Sequence, residues 1–231
     1  MESFIDPVLI RHIKKPKPEI IAAFRKLPVA NIADAIGKPC SNTMDSEIKP
    51  VLSDLIIAGP AVTVKERPDC NLMSHAAFDL AEKGDVIVID AGGYTSTAVG
   101  GFLMVRKLIS KKVEAVIVDG AWRDKTEIIE KSFPVFARGW QPGGPHKNQP
   151  GSVNIPVTCG GVIVNPGDIV VGDDDGVVVI PREQAETILE AAQAIHEREK
   201  AVIIDTRKEA MEKPNPYATP ERLKELGVEI R

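Results

Sequence analysis

Residues 85–124 read "DVIVIDAGGYTSTAVGGFLMVRKLISKKVEAVIVDGAWRD". Two short runs in it, "DVIVIDAGG" (85–93) and "VEAVIVDG" (113–120), are apolar without a break. That is the pattern of strands buried on both faces, which occur in parallel sheets covered by helices. Between them "GGFLMVRKLISKK" (100–112) has apolar residues at helical spacing. Strand, helix and strand in this order predict a right-handed βαβ unit.

Working outward, "DKTEIIEKS" (124–132) reads as a helix and "PVFARG" (134–139) as a third strand. Upstream, "NLMSHAAFDLAEKG" (71–84) reads as a helix ended by a glycine cap, and "LIIAGPAVTVKE" (55–66) as a strand pair broken at Gly59-Pro60. Residues 18–27 and 29–38 are predicted as helices, with Pro18 in the first turn of one and Gly37 closing the other. After residue 140 the Pro/Gly-rich "WQPGGPHKNQPGSVN" predicts a loop. Short β segments follow, turning at Gly160-Gly161, Pro166-Gly167 and Asp175-Gly176. A polar amphipathic helix from Arg182 to about Lys213 is expected to pack on another subunit. With no linker in between, residues 1–231 count as one domain, with a core at about 28–200 and a C-terminal helical extension at about 183–231.

Composition narrows the function classes. The 231 residues are 43% hydrophobic and 27% charged, with a net charge of −4, as in an ordinary globular protein. No basic stripe suggests nucleic-acid binding. No apolar run reaches the roughly 20 residues that span a bilayer, and the N-terminal stretch does not resemble a secretory signal. Three scattered cysteines, Cys40, Cys70 and Cys159, suit a reducing cytoplasm.

Two loops carry the candidate chemistry. The glycine-rich "DAGGYTSTAVGG" (90–101) follows one buried strand and precedes a helix whose exposed N–H groups could bind an anion. Its glycines do not have dinucleotide-binding spacing. Arg123-Asp124 occupies the corresponding place after the next strand. Alone, Asp124 would be the N-cap of the helix it precedes, with Arg123 in solvent. Together the two loops suit a small keto acid held through a divalent metal: aspartate is a hard oxygen ligand, and arginine holds carboxylate or enolate oxygens. "GDDDG" (172–176) reads as an acidic turn, His75 as core or helix-face structure, and His146 as a single loop histidine. Lys125 reads as a residue of an exposed helix turn.

Taken as a set, "GPAVTV" (59–64), "NLMSHAAFDLAEKGDVIVIDAGG" (71–93), "VIVDGAWRD" (116–124), "VFARG" (135–139), "VNIPVTCGGVIVNPGD" (153–168) and "DDDGVVVIP" (173–181) resemble the RraA-like family. That family includes 4-hydroxy-4-methyl-2-oxoglutarate/4-carboxy-4-hydroxy-2-oxoadipate aldolases and regulators of ribonuclease E. The resemblance implies an α/β/β/α sandwich with a partly parallel central sheet and a long C-terminal helix. It also implies homotrimers or homohexamers with sites between subunits.

Carried over by resemblance, Gly101 is the marker glycine and Arg123-Asp124 the Arg-Asp pair. Asp124 then holds Mg²⁺ or Mn²⁺, and Arg123 binds the C2 oxygen of pyruvate and stabilises its enolate. The N–H groups of Leu103 and Met104 take the carboxylate, and Glu199 of a neighbouring subunit acts through the metal's waters. The expected activity is a class II pyruvate-forming aldolase that also decarboxylates oxaloacetate. The other reading is a non-catalytic protein-binding regulator of a ribonuclease. This sequence departs from the aldolases at Phe102, where they carry an acid thought to orient the protonating water; Tyr94 or a metal-bound water is the candidate replacement. A menaquinone-type methyltransferase finds no glycine-rich cofactor turn here.

Overall fold

The two apolar runs that anchor the reading are adjacent parallel strands. In the computed structural model, which describes residues 6–37, 42–209 and 218–230 (without the side chains of 201–209), Val86–Asp90 pairs in register with Ala115–Asp119. The elements begin with helices α1 (Pro18–Phe24) and α2 (Val29–Ile36) and strands β1 (Lys49–Pro50) and β2 (Ile57–Lys65). The βαβ core follows as α3 (Leu72–Leu80), β3 (Val86–Gly100), α4 (Phe102–Lys111), β4 (Ala115–Trp122), α5 (Lys125–Glu130) and β5 (Val135–Trp140). Then come β6 (Ser152–Val153), β7 (Val157–Cys159), β8 (Val162–Val164), β9 (Ile169–Asp173) and β10 (Gly176–Ile180). Helices α6 (Ala185–Glu209) and α7 (Pro220–Glu225) close the chain. The main sheet runs β1-β5-β4-β3-β2-β9-β10, with β6 also on β2 and β7-β8 as a separate hairpin.

Side-chain alternation along the strands builds four layers. Ile87, Ile89, Val116, Val118 and Val135 face α3, α4 and α5 through Phe78, Val105, Leu108 and Ile128. The opposite side chains, Val86, Val88, Ala115, Ile117 and Phe136, meet Val170, Val177 and Val179 and the β7-β8 hairpin. The far face of β9-β10 (Ile169, Val171, Val178, Ile180) packs on α1, α2 and α6 through Phe24, Ile32 and Ile188. The result is the expected α/β/β/α sandwich. Each such large apolar side chain contributes roughly 1.5–3 kcal/mol by leaving water.

Several expectations change. Gly59-Pro60 does not break the strand: β2 is continuous over nine residues. The dipeptide marks where its neighbour changes, since Ile57–Pro60 pairs with β9 and Ala61–Lys65 with β3. A side chain at Gly59 would collide with the carbonyl of Gly84, which is why the junction needs glycine. Helix α3 stops at Leu80 rather than at a glycine cap, because Asp85 takes the Glu82 N–H at 2.8 Å and turns the chain early. The glycine-rich stretch 90–101 is not a loop but the bulged continuation of β3, in which Tyr94, Ala98 and Gly100 face Gly120, Ala121 and Trp122. Helix α6 starts after a 3₁₀ turn, Arg182–Gln184; its first half packs on α1 and α2 of its own chain, and the expected end near Lys213 lies outside the described residues. Cys40 lies outside them too, and Cys70 and Cys159 are buried free thiols. The acidic turn is the β9-β10 hairpin, where Asp173 accepts the N–H groups of Asp175 and Val29. No described helix is long and apolar enough to cross a membrane.

One buried acid underlies α3. Glu66 follows β2, is 1% exposed, and accepts the Ser74 N–H in the helix's first turn. Its Oε2 has no partner among the described residues. Burial lifts its pKa to about 7 against the opposing pull of Ser74 and of the Met73 N–H. A carboxyl with a raised folded pKa stabilises the fold below its ordinary pKa of 4.5, and that contribution is lost as pH rises towards 7. Glu66→Gln keeps an acceptor for Ser74 and removes the titration. Thermal unfolding from pH 4.5 to 8 is expected to show wild type losing stability relative to this variant, by up to about 3 kcal/mol. Parallel pH profiles for the two proteins would refute it.

Candidate functional site

The parallel strands β2, β3 and β4 all end on one edge, so the turns into α3, α4 and α5 open side by side. This is the edge at which open α/β sheets bind ligands. Arg123-Asp124 follows β4 and Gly101-Phe102 follows β3, and the structure joins them directly. Asp124 Oδ2 accepts the Phe102 N–H at 2.8 Å, and the Arg123 N–H donates to Gly100 O at 3.1 Å.

Asp124 therefore caps a helix, but not the one expected. It stands at the start of α5 in a left-handed conformation (φ 61°), and its side chain makes no cap bond there. The carboxylate turns across to the first amide of α4, where the helix dipole favours a negative charge. Gly101 makes this possible. Its backbone is extended, so no left-handed strain is involved, but a Cβ there would strike Asp124 Oδ2 and the Arg123 side chain. Gly100 has its own reason: a Cβ would run into the indole of fully buried Trp122.

Arg123 is half-exposed, with Nε 3.9 Å from Asp124 Oδ2. Its Nη1 donates to Pro142 O at 3.4 Å and lies against Gly144, so the Pro/Gly loop forms one wall. Leu103 is 74% exposed and its N–H takes no partner among the described residues. Met104 is less available than expected, because its N–H already donates to Gly101 O at 3.1 Å. Phe102 is half-buried and packs against the core between sheet and helices. Lys125 is exposed, its Nζ 5.5 Å from the centroid of the Trp140 ring.

For a metal, the described residues offer no convergence of three or more His, Cys, Asp or Glu. Asp124 fits a sparser site: Oδ2 is used by Phe102, while Oδ1 takes no donor among the described residues and the side chain is 35% exposed. One carboxylate oxygen with the remaining positions left to water and substrate is a common Mg²⁺ arrangement. Glu199, expected to help from a neighbouring subunit, lies on α6, where its Oε2 accepts from Asn31 Nδ2 of its own chain at 2.6 Å. Asn31 in turn meets His196 Nδ1 at 3.1 Å.

Three neighbours of the site were not singled out in the sequence. Asn71, at the start of α3, is 3% exposed, and its Nδ2 sits 3.5 Å from Met104 Sδ. Pro142 and Gly144 reach Arg123 from a loop that composition marks only as irregular. A polar residue just ahead of an apolar helical run was the one available signal for Asn71.

Comparisons with known proteins agree with this architecture. A family model described as RraA-like, Aldolase/RraA, matches residues 29–179. A Halalkalibacterium halodurans protein provisionally named a 4-hydroxy-4-methyl-2-oxoglutarate aldolase is 39% identical over 175 residues, covering 76% of this chain and 82% of that protein. An Ectopseudomonas mendocina protein with the same provisional name is 32% identical over 124 residues, covering 54% and 76%. The crystal structure of Streptomyces coelicolor RraAS2, described as an unusual member of the RNase ES inhibitor RraA protein family, superposes with a TM-score of 0.76 at 27% identity, covering 83% of this chain and all (100%) of that one. The chain belongs to the RraA-like family.

Proposed function

We propose that the protein is a divalent-metal-dependent, pyruvate-forming carbon–carbon lyase that cleaves 4-hydroxy-2-keto acids of the 4-hydroxy-4-methyl-2-oxoglutarate type and decarboxylates oxaloacetate at the same site. The observation that carries this reading is Asp124, fixed through Oδ2 to the first amide of α4 with Arg123 Nε 3.9 Å from that oxygen, while Oδ1 takes no donor among the described residues. The aldolase names of two relatives support it.

In the cleavage, the C3–C4 bond breaks and its electron pair becomes the enolate of pyruvate. The C4 hydroxyl loses its proton and C4 leaves as a carbonyl. Loss of CO₂ from oxaloacetate gives the same enolate, so one site serves both reactions. Mg²⁺ or Mn²⁺ held by Asp124 would supply Lewis-acid polarisation of the 2-keto group. Arg123 donates to the C2 oxygen as charge develops there, and the open Leu103 N–H at the N-terminus of α4 takes the substrate carboxylate. Phe102 gives the site its backbone only, so the proton that converts enolate to pyruvate comes from another donor, Tyr94 or water.

Asp124→Asn retains an acceptor for the Phe102 N–H and loses the charge. Coupled pyruvate detection with 4-hydroxy-4-methyl-2-oxoglutarate and with oxaloacetate is expected to show EDTA-sensitive turnover in wild type. The variant should lose at least about 100-fold in kcat/KM, a loss of the size seen when a preorganised charge-stabilising group is removed. Turnover indifferent to both EDTA and the substitution would remove the metal from the reading. Gly101→Ala provides an independent check: the added methyl forces Asp124 off its amide, so activity should fall by a similar factor, together with a thermal stability loss of about 1 kcal/mol for the broken cap. Unimpaired activity in that variant would show that the Asp124–Phe102 bond does not position the site.

A second reading has its own support. The Streptomyces coelicolor neighbour is named for ribonuclease inhibition. A non-catalytic regulator would bind a ribonuclease equally well with Asp124 replaced, and would release no pyruvate from either substrate.

A further inference from the structure

The segment ahead of α1 takes no part in the chemistry above, and it lies where the sheet ends. Leu9 bridges in parallel to Val153 of β6: the Val153 N–H donates to Val8 O at 2.9 Å and the Ile10 N–H to Val153 O at 3.2 Å. On the other side of β6 the Asn154 N–H donates to Thr63 O of β2 at 2.7 Å. Residues 8–10 therefore form one further strand beyond β6. Its inner edge is tied twice more, by the Val8 N–H to Ser152 Oγ at 3.1 Å and by Asn154 Nδ2 to Ile10 O at 2.8 Å. Its outer edge pairs with nothing among the described residues.

The bonding pattern fixes what that outer edge offers. In a parallel bridge the flanking residues make the bonds, so Leu9 turns its own N–H and C=O away from β6. The side chains of Val8, Leu9 and Ile10 are between 38% and 41% exposed. Natural edge strands are usually blunted by charge at such positions. Here charge begins only after the apolar residues, as Arg11, His12, Lys14, Lys15 and Lys17. Glu82 and Asp85 hold Lys15, and Glu186 holds Lys17, whereas Arg11 and Lys14 make no ion pair among the described residues. Ile13 stands between two recesses. One, of about 190 Å³, is lined by Arg11 and His12; the other, of about 440 Å³, by Lys14 and Arg182.

We infer that the open edge at residues 8–10 is a docking site for an extended acidic segment of another protein, which adds a strand beside Leu9 and sets carboxylates against Arg11 and Lys14. The inference does not rest on the lyase reading. Main-chain bonds to Leu9 hold the added strand, and its apolar side chains cover Val8 and Ile10 on one face and Leu9 on the other. Charge complementarity selects the occupant. A nucleic acid meets the two cations but has no strand to pair with Leu9, and the chain's net charge of −4 opposes a long polyanion. A second copy of this edge brings the same basic run, with Asp6 as the only acid over residues 6–17.

The probes are fluorescein-labelled peptides carrying a run of glutamates before or after Val-Thr-Val-Thr-Val, read by anisotropy, with a labelled poly-uridine strand beside them. Wild type is expected to bind one of the two peptides, more weakly as salt rises, and to leave the RNA free. Leu9→Pro deletes only the outward N–H, because the bonds to β6 use Val8 O and Ile10 N; it should weaken binding at least about tenfold. Leu9→Ala keeps that N–H and should weaken it less. Arg11→Glu combined with Lys14→Glu should cost at least about tenfold. The same peptide N-methylated at its central valine tests the main-chain pairing with the protein untouched, and should also bind at least about tenfold more weakly. Wild type that binds neither peptide overturns the inference, as does binding indifferent to N-methylation and to the two charge reversals. RNA bound in place of peptide makes the patch a nucleic-acid site. A mass by light scattering that rises with protein concentration, and falls back in Leu9→Pro, gives the edge to a second copy; either result overturns the acidic partner.

Discussion

Burial of both faces of β3 and β4 is the constraint on which the rest of the molecule depends. Residues 86–89 and 115–118 have helices on one side and a second β layer on the other, so none of them can carry a polar side chain. Polarity starts where the runs end, and it starts as a row. Lys65, Asp90 and Asp119 are register partners across β2, β3 and β4, and Arg138 follows on β5. The row neutralises itself: Lys65 Nζ lies 2.7 Å from Asp90 and Arg138 Nε 2.6 Å from Asp119. The same two carboxylates hold the β7-β8 hairpin through the N–H groups of Thr158 and Gly160. Apolar burial thus keeps charge to the strand ends, Asp85 and Glu114 at one and this row at the other, and pairing within the row leaves the next residues out, around Gly101 and Arg123, available for a ligand.

How legible this was in the sequence varies by residue, and the reason is physical. An uninterrupted apolar run needs no partner to declare that it is buried on both faces, so β3 and β4 and the helix between them could be read directly. Gly59-Pro60 was misread because glycine and proline state a backbone restriction and not its cause. Here the cause is the Gly84 carbonyl, which comes close only once β2 and β3 are paired. The glycines at 92 and 93 were read as a loop for the same reason. Their positive φ values serve a bulge whose hydrogen-bonding partner is β4.

The site shows the same division. Arg123-Asp124 was visible as a pair, and its local role was assigned to the helix it precedes, as the N-cap preference directs. The tertiary structure offers Asp124 a second helix end 22 residues earlier in the chain, and that one takes the carboxylate. The Pro142 carbonyl could not be found by local rules, and Asn71 showed only as a polar residue opening an apolar helical run; each touches the site across the βα turns.

Phe102 belongs both to the core and to the site. In this chain its N–H anchors Asp124 and its ring packs against the core, so both ends of the residue serve the geometry of the site and neither offers a proton. The preceding position must remain glycine to let the carboxylate pass. A site organised this way depends on backbone donors and one fixed carboxylate, Asp124. In the proposed lyase the proton for the enolate would then have to come from elsewhere, from Tyr94 on β3 or from water reaching the half-exposed Asp124 and Arg123. A phenylalanine at 102 would leave the electrostatics that favour the enolate in place in that reaction and pass proton delivery to another group.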